Sequence, residues 1–256
     1  MSATSIILSV LCAIVCVIGE GGRTPPTKLY VDGRDREHGY TIIDEQIRYS
    51  GWRQVLRRRV SAPHLGDKHL DFDVIDQAKS CGAVVIFAWN STSKTATIIR
   101  EYMPGPHRVL SGLAAGIVED DKHGIELDGR ESLELIAARC ELEEECHLAG
   151  GTWYRLTDEG VSSKNKLNSQ FACSQAQMKS AVSMDKYVVT EITPWLVIDP
   201  EHVLEPRPMD DEEDIVIISG VPTDDILKTI REGDMNIVGA FASLLALEKL
   251  RSLGEI

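Results

Sequence analysis

The stretch CGAVVIFAW, residues 81–89, holds no charged residue and nothing more polar than a cysteine. A strand with one face in water alternates apolar and polar side chains. An unbroken apolar run is expected instead of a strand buried on both faces. Asn90 to Lys94 reads as a turn, and TATIIREY (95–102) resumes as a partner strand until Pro104, Gly105 and Pro106 break the pattern. Upstream, residues 28–75 alternate in a strand-like way through TIIDEQIRY, WRQVLRRRV and HLDFDVID, with turn chemistry at Asp32-Gly33 and Gly66-Asp67. Downstream, residues 132–146 lack Gly and Pro and are rich in Leu, Ala, Glu and Arg, all strong helix formers. Ser132 is placed to cap that helix, and Gly150-Gly151 lie past its end. WYRLTDEG and KYVVTEITPWLVI read as strands around a polar loop at 160–180, and the acidic run Asp210 to Asp214 leads into the strand IVIIS. TDDILKTIREG and NIVGAFASLLALEKLRSL read as two closing helices, the first ending before Gly233 and the second opening at Asn236. No internal repeat interrupts this order. The economical architecture is one α/β domain with a mixed sheet.

The net charge of −13, from 40 acidic and 27 basic side chains, argues against nucleic acid as a partner, because duplex phosphates need a basic footprint. A small phosphate-bearing molecule remains compatible if cations bridge it to carboxylates. Arg57-Arg58-Arg59 lies within an alternating segment and reads as part of a strand. The apolar run from Ile6 to Ile18 is too short for a comfortable membrane span of roughly 20 residues. It suits the core of a signal peptide, or an anchor, and implies the secretory pathway or a membrane if it acts as a targeting signal and the cytoplasm otherwise. Asn90-Ser91-Thr92 forms a glycosylation sequon and equally a hairpin turn. The six cysteines show no CxxC spacing, so neither a zinc site nor a disulfide framework is expected, and buried inert thiols are.

The feature that carries chemistry is RCELEEEC, residues 139–146. At about 100° per residue, Glu141, Glu144 and Glu145 fall within one arc, and Glu134 falls in the same sector one to two turns earlier. Leu133, Ile136, Ala137 and Cys140 flank the arc on one side, and Leu135, Ala138, Leu142 and Cys146 flank it on the other. Glu143 points away, within reach of Arg139 at i, i+4. A solvated acidic stripe normally lies opposite a single apolar face. Carboxylates set between two apolar stripes instead describe a helix packed on both flanks with an acidic seam in a cleft. Hard divalent cations take such oxygen ligands, commonly one or two carboxylates with substrate phosphates. A glutamate-rich solvated helix is the alternative.

The same stretch resembles the Nudix box, G-x5-E-x7-R-E-U-x-E-E-x-G-U with U aliphatic. Gly116 stands at its first glycine and AARCELEEECHL at its ending, so that Glu141, Glu144 and Glu145 take the three family glutamates. LSGLAAGIVE, IIREYMPG and CGAVVIFAW are similar to the segments that surround the box in ADP-ribose and nucleotide-sugar pyrophosphatases. The resemblance covers about residues 40–250. It implies a Nudix-type α/β/α sandwich with a mixed sheet, with 1–22 as the N-terminal signal or anchor segment, 28–75 as a β extension and 76–253 as the hydrolase-like domain. It further implies Mg²⁺ or Mn²⁺ held by Glu141, Glu144, Glu145 and the Ala115 carbonyl, with Glu144 and Glu145 in the catalytic machinery. Gly116 and Arg100 would lie at the substrate, Asp185 from a later loop would serve as base or extra ligand, and the chain would form a homodimer. The expected reaction splits the diphosphate of a nucleoside diphosphate joined to a sugar, such as ADP-ribose or a nucleotide sugar.

The box departs from the family at several points. Cys140 stands for the arginine, His147 for the later glycine and Ala114 for an upstream proline. Fourteen residues replace the x5 spacer if Glu131 is the first box glutamate, and the two halves are out of register by one position. A π-bulge in the helix would absorb that slip and bring Arg139 to the missing arginine's role of orienting a glutamate. The other reading is a Nudix-fold nucleotide-binding or interaction protein with weak or no catalysis.

Overall fold

The computed structural model describes residues 40–77, 80–124, 131–157, 181–209 and 214–256. The N-terminal segment 1–22, the start of the β extension, the polar loop at 160–180 and most of the acidic run lie outside those residues. Strands β1 (Thr41–Ser50), β2 (Gln54–Ser61) and β3 (Leu70–Asp76) form a separate antiparallel sheet in the order β1-β2-β3. The central sheet contains β4 (Ser80–Asn90), β5 (Thr95–Met103), β6 (Arg108–Gly112) and β7 (Ala114–Glu119). A short helix α1 (Asp120–His123) and then the acidic helix α2 (Leu133–Cys146) follow. Next come β8 (Leu148–Ala149), β9 (Thr152–Arg155), β10 (Val182–Ser183), β11 (Glu191–Ile198), β12 (Glu201–His202) and β13 (Ile215–Pro222). Helices α3 (Thr223–Arg231) and α4 (Ile237–Leu253) close the chain.

The central sheet runs β10-β11-β4-β5-β13, with β6 on β5, β7 on β4 and β9 on β11. It is mixed because β11 pairs parallel with β4, Ile192 opposite Ala83 through Ile198 opposite Trp89, while its other pairings are antiparallel. The apolar run in β4 is buried on both faces, as its sequence required. Ala83, Val85, Phe87 and Trp89 meet Ala242, Ala246, Leu247 and Leu250 of α4 on one side. Val84, Ile86 and Ala88 meet Ala137, Ala138, Leu142 and Cys146 of α2 on the other. The result is the α/β/α sandwich that the resemblance implied, with the N-terminal sheet as an extension. Both long helices start where the capping chemistry places them. Ser132 Oγ accepts from the Leu135 N–H, and Asn236 Oδ1 accepts from the Gly239 N–H.

Residues 187–189 run beside β3, with the Ile75 N–H donating to Tyr187 O and the Val189 N–H donating to Ile75 O, which ties the extension to the domain. The arginine triplet is arranged by strand alternation. Arg57 and Arg59 share one face and both bond Asp71, while Arg58 points to the other and bonds Glu45. The cysteine expectation needs one correction. Cys140 and Cys146 are buried thiols, whereas Cys81 is disulfide-bonded to a residue outside those described. Sequence spacing carries no record of such a bond, because chain folding decides which sulfurs meet.

The Arg59 and Arg57 guanidiniums hold the Asp71 carboxyl well below the usual carboxylate range. A group depressed in this way stabilises the fold fully above the ordinary aspartate value, about pH 4, and that stabilisation is lost as pH falls toward the folded value. Asp71→Asn is therefore expected to lower the melting temperature slightly at pH 7, slightly because the pair is exposed. The gap to the parent closes as the pH drops below about 4. Thermal melts of both proteins across that range check the sign.

Candidate functional site

The acidic helix is pinned against β7. Alternation places Ala114, Gly116 and Val118 on the sheet face that α2 covers, and the Glu141 side chain of α2 lies over Gly116. A Cβ on Gly116 would lie 2.0 Å from the Glu141 carboxyl carbon, so only glycine leaves room for that carboxylate. The adjoining Ala115 N–H donates to Glu145 Oε2 at 2.8 Å. Lys122 of α1 reaches Glu144 Oε2 with its Nζ at 3.1 Å.

Glu134, Glu141, Glu144 and Glu145 are all more than nine-tenths buried. Removing a carboxylate from water costs several kcal/mol unless a partner replaces the hydration. The acidic face is therefore a seam enclosed between the two apolar flanks of α2, and not a solvated stripe. Next to it His123 is buried to 1% exposure. Its Nδ1 lies 3.0 Å from the Glu119 N, while Nε2 has no hydrogen-bond partner. Burial, with the charge of Lys122 added, pushes the imidazole pKa down and favours the neutral ring. Burial, with Glu145 adding to it, likewise pushes the Cys146 thiol up to about 12, which leaves it unreactive.

The positions at which the sequence departs from the pattern it resembles are placed as follows. Helix α2 is α-helical from Leu133 to Cys146, so no π-bulge absorbs the register slip. Cys140 is buried, and Arg139 is turned outward with its Nη1 2.7 Å from Glu131 Oε2. Arg139 thus orients Glu131, the glutamate eight residues before it, and no carboxylate of the seam. The expected Arg139–Glu143 pair does not form, since an Arg placed N-terminal to Glu is the weaker orientation on a helix. Glu143 instead accepts from the Arg207 backbone N–H at 3.2 Å, with Arg207 Nε 3.4 Å from its other oxygen. His147 takes the left-handed conformation at the helix end, φ 55° and ψ 37°. That is the backbone geometry a glycine supplies most easily.

Of the residues nominated from sequence, the structure brings together Ala115, Gly116, Glu141, Glu144 and Glu145. Arg100 is engaged elsewhere, with its Nη1 3.5 Å from Asp234 Oδ2. Alternation puts it on the side of Ile98, which faces α4, whereas Ile99 faces α2. Asp185 is an exposed turn residue whose Oδ1 accepts from the Tyr187 N–H at 2.8 Å. Sequence reading passed over Lys122 and His123. They lie in the insertion, where no box position exists to point at them, and the contrast of DDKH with its acidic surroundings was the only signal.

The donor chemistry of the seam suits a hard divalent cation, because it offers carboxylate oxygens and no sulfur or imidazole ligand. Among the described residues no three His, Cys, Asp or Glu side chains close into a finished metal centre. A divalent cation at the seam would therefore need water or phosphate oxygens to complete its coordination. The donors fit a cation completed by its substrate, and not an all-protein cage.

Two substitutions test this geometry. Gly116→Ala is expected to displace the Glu141 carboxylate, the far end of a flexible side chain, and to cost no more than about 1 kcal/mol of stability in urea melts. His147→Gly relieves the left-handed strain and is expected to raise stability by about 1 kcal/mol in the same measurement.

No family model matches the chain, and no curated protein matches it in sequence. Among solved structures it is similar to the crystal structure of an ADP compounds hydrolase, with a TM-score of 0.59 and 16% sequence identity. That similarity covers 85% of this chain and 97% of the other. At this identity the likeness is one of fold. The chain has a Nudix-type α/β/α fold with an acidic helix buried against the β7 strand.

Proposed function

We propose that this protein hydrolyses the diphosphate bond of a nucleoside diphosphate joined to a sugar, ADP-ribose or a nucleotide sugar, in a reaction that needs Mg²⁺ or Mn²⁺. The observation that carries the reading is the enclosed seam of Glu141, Glu144 and Glu145 set against Ala115 and Gly116. Evolving such a seam without a cation to neutralise it would leave a standing energetic cost. The structural neighbour is itself described as acting on ADP compounds, which supports the substrate class.

Water adds to one phosphorus, the bridging P–O bond breaks, and the products are a nucleoside monophosphate and a sugar phosphate. When bound, a divalent cation supplies charge neutralisation for the diphosphate and a more acidic water. Glu141, Glu144 and Glu145, together with the Ala115 carbonyl, would hold it. The chain's own contribution is to fix these groups beforehand. The Ala115 N–H orients Glu145, and the bare Gly116 Cα lets Glu141 lie flat on the strand, so little reorganisation is left for the reaction. With a net charge of −13 the protein repels a free diphosphate, so the substrate arrives as its metal complex. Asp185 supplies a carboxylate from its turn as base or extra ligand.

The second reading, a nucleotide-binding protein that kept the fold and lost the reaction, is favoured by Cys140 at the box arginine position and by the lysine already seated on Glu144. Release of nucleoside monophosphate from ADP-ribose, ADP-glucose and UDP-glucose, with and without Mg²⁺ or Mn²⁺, decides between the two. Metal-dependent release that falls by about 100-fold or more in Glu144→Gln and Glu145→Gln is the expected result. No release from any substrate with either metal supports the binding protein.

The proposal extends to a homodimer built on the N-terminal sheet, where Ile43, Ile47, Tyr49 and Trp52 are exposed on and beside β1. Size-exclusion chromatography with light scattering should report twice the 28.3 kDa chain mass. A monomer at micromolar concentration removes this part of the reading.

A further inference from the structure

The insertion that disrupts the box delivers a cation into it. Helix α1 follows directly on β7 and is anchored by His123, which is almost wholly buried and bound through Nδ1 to the Glu119 backbone. This anchor fixes the backbone one residue away from Lys122. The Lys122 ammonium then reaches Glu144 Oε2 at 3.1 Å, although the Glu144 side chain is only 9% exposed and the lysine is 38% exposed. A lysine ammonium is a compact point charge with three donors, well matched to a carboxylate from which a metal has been withheld. Because it is tethered, its effective concentration at Glu144 is in the millimolar range or above, comparable to a cellular divalent cation.

We propose that Lys122 is a built-in counter-ion for the acidic seam, occupying Glu144 in the metal-free protein and leaving it when a divalent cation binds. The inference rests on the metal reading of the seam given above. Lys122 acts through Glu144 and is a positioning residue. It stabilises the empty seam, and it lowers apparent metal affinity because the cation must displace it. The Lys122 head, at more than one-third exposure, has solvent to move into, whereas Glu144 has none. Displacement therefore moves the lysine and not the glutamate.

Mn²⁺ binding to the full chain, followed by electron paramagnetic resonance without substrate, tests the proposal. Lys122→Met is expected to bind Mn²⁺ about tenfold more tightly than the parent. It is also expected to melt at a lower temperature without metal and to recover at saturating Mn²⁺. Lys122→Arg, which keeps the charge, should stay near the parent, and Lys122→Gln provides a second neutral variant if Met disturbs packing. The gain should largely vanish in the Lys122→Met, Glu144→Gln double variant, since the proposed coupling runs through that carboxylate. Equal or weaker Mn²⁺ binding in the folded neutral variants overturns the counter-ion role and leaves the metal site standing. Absence of Mn²⁺ binding from parent and variants alike overturns the metal reading itself, and the counter-ion role with it.

Discussion

The close approach of α2 to β7 is the constraint on which the rest of the site depends. It is possible because Gly116 presents no side chain to the helix and because the Ala115 N–H is aimed at Glu145. The apolar flanks of α2 bring the helix down onto the sheet. Leu142, Ala137 and Ala138 are fully buried against Val84, Ile86 and Ala88, and a leucine buried to this extent contributes about 2 kcal/mol. The carboxylates between those flanks are carried into the interior by packing that they oppose. Stability and site are therefore coupled: the hydrophobic contacts that hold the sandwich together also hold four glutamates out of water.

How that opposition is relieved explains the local wiring. Glu145 has a backbone donor, Glu144 has Lys122, and Glu143 on the outer side ties the segment around Arg207 to the helix. Arg139 serves Glu131 at the entry to the helix. Glu143, Glu144 and Glu145 each meet a group from a different part of the chain, so the helix is a junction between β7, the insertion and the segment that precedes β13. Cys140, a small buried thiol, fits the apolar flank, while Arg139 one place earlier keeps its contact on the outside.

Much of the sandwich was legible in the sequence, for reasons that are local. The unbroken apolar run in β4 could only be satisfied by covering both faces. The side-chain caps at Ser132 and Asn236 fix where α2 and α4 begin, because they satisfy N–H groups within three residues. The alternation in residues 28–75 marked strands, while their pairing into a three-stranded sheet and the partners of Arg57, Arg58 and Arg59 came from the fold. The acidic arc was visible as an angular pattern between two apolar stripes, and burial in the fold decided against the solvated alternative. What misled the reading also had a physical basis. An i, i+4 spacing makes the Arg139–Glu143 contact possible without making it favourable, and both residues found partners more distant in sequence.

The sequence by itself determined the mixed α/β class, the starts of the two long helices and the set of carboxylates on one helical arc, because these follow from periodicity and from contacts a few residues apart. Only the tertiary structure decided that Gly116 lies beneath Glu141, that Lys122 completes Glu144, and that Arg100 turns to Asp234. It alone decided that Cys81 forms a disulfide. Those outcomes depend on which distant segments share a surface once the sheet is assembled. A pattern of residue types along the chain carries no distance between such segments, whereas packing fixes that distance to within a bond length.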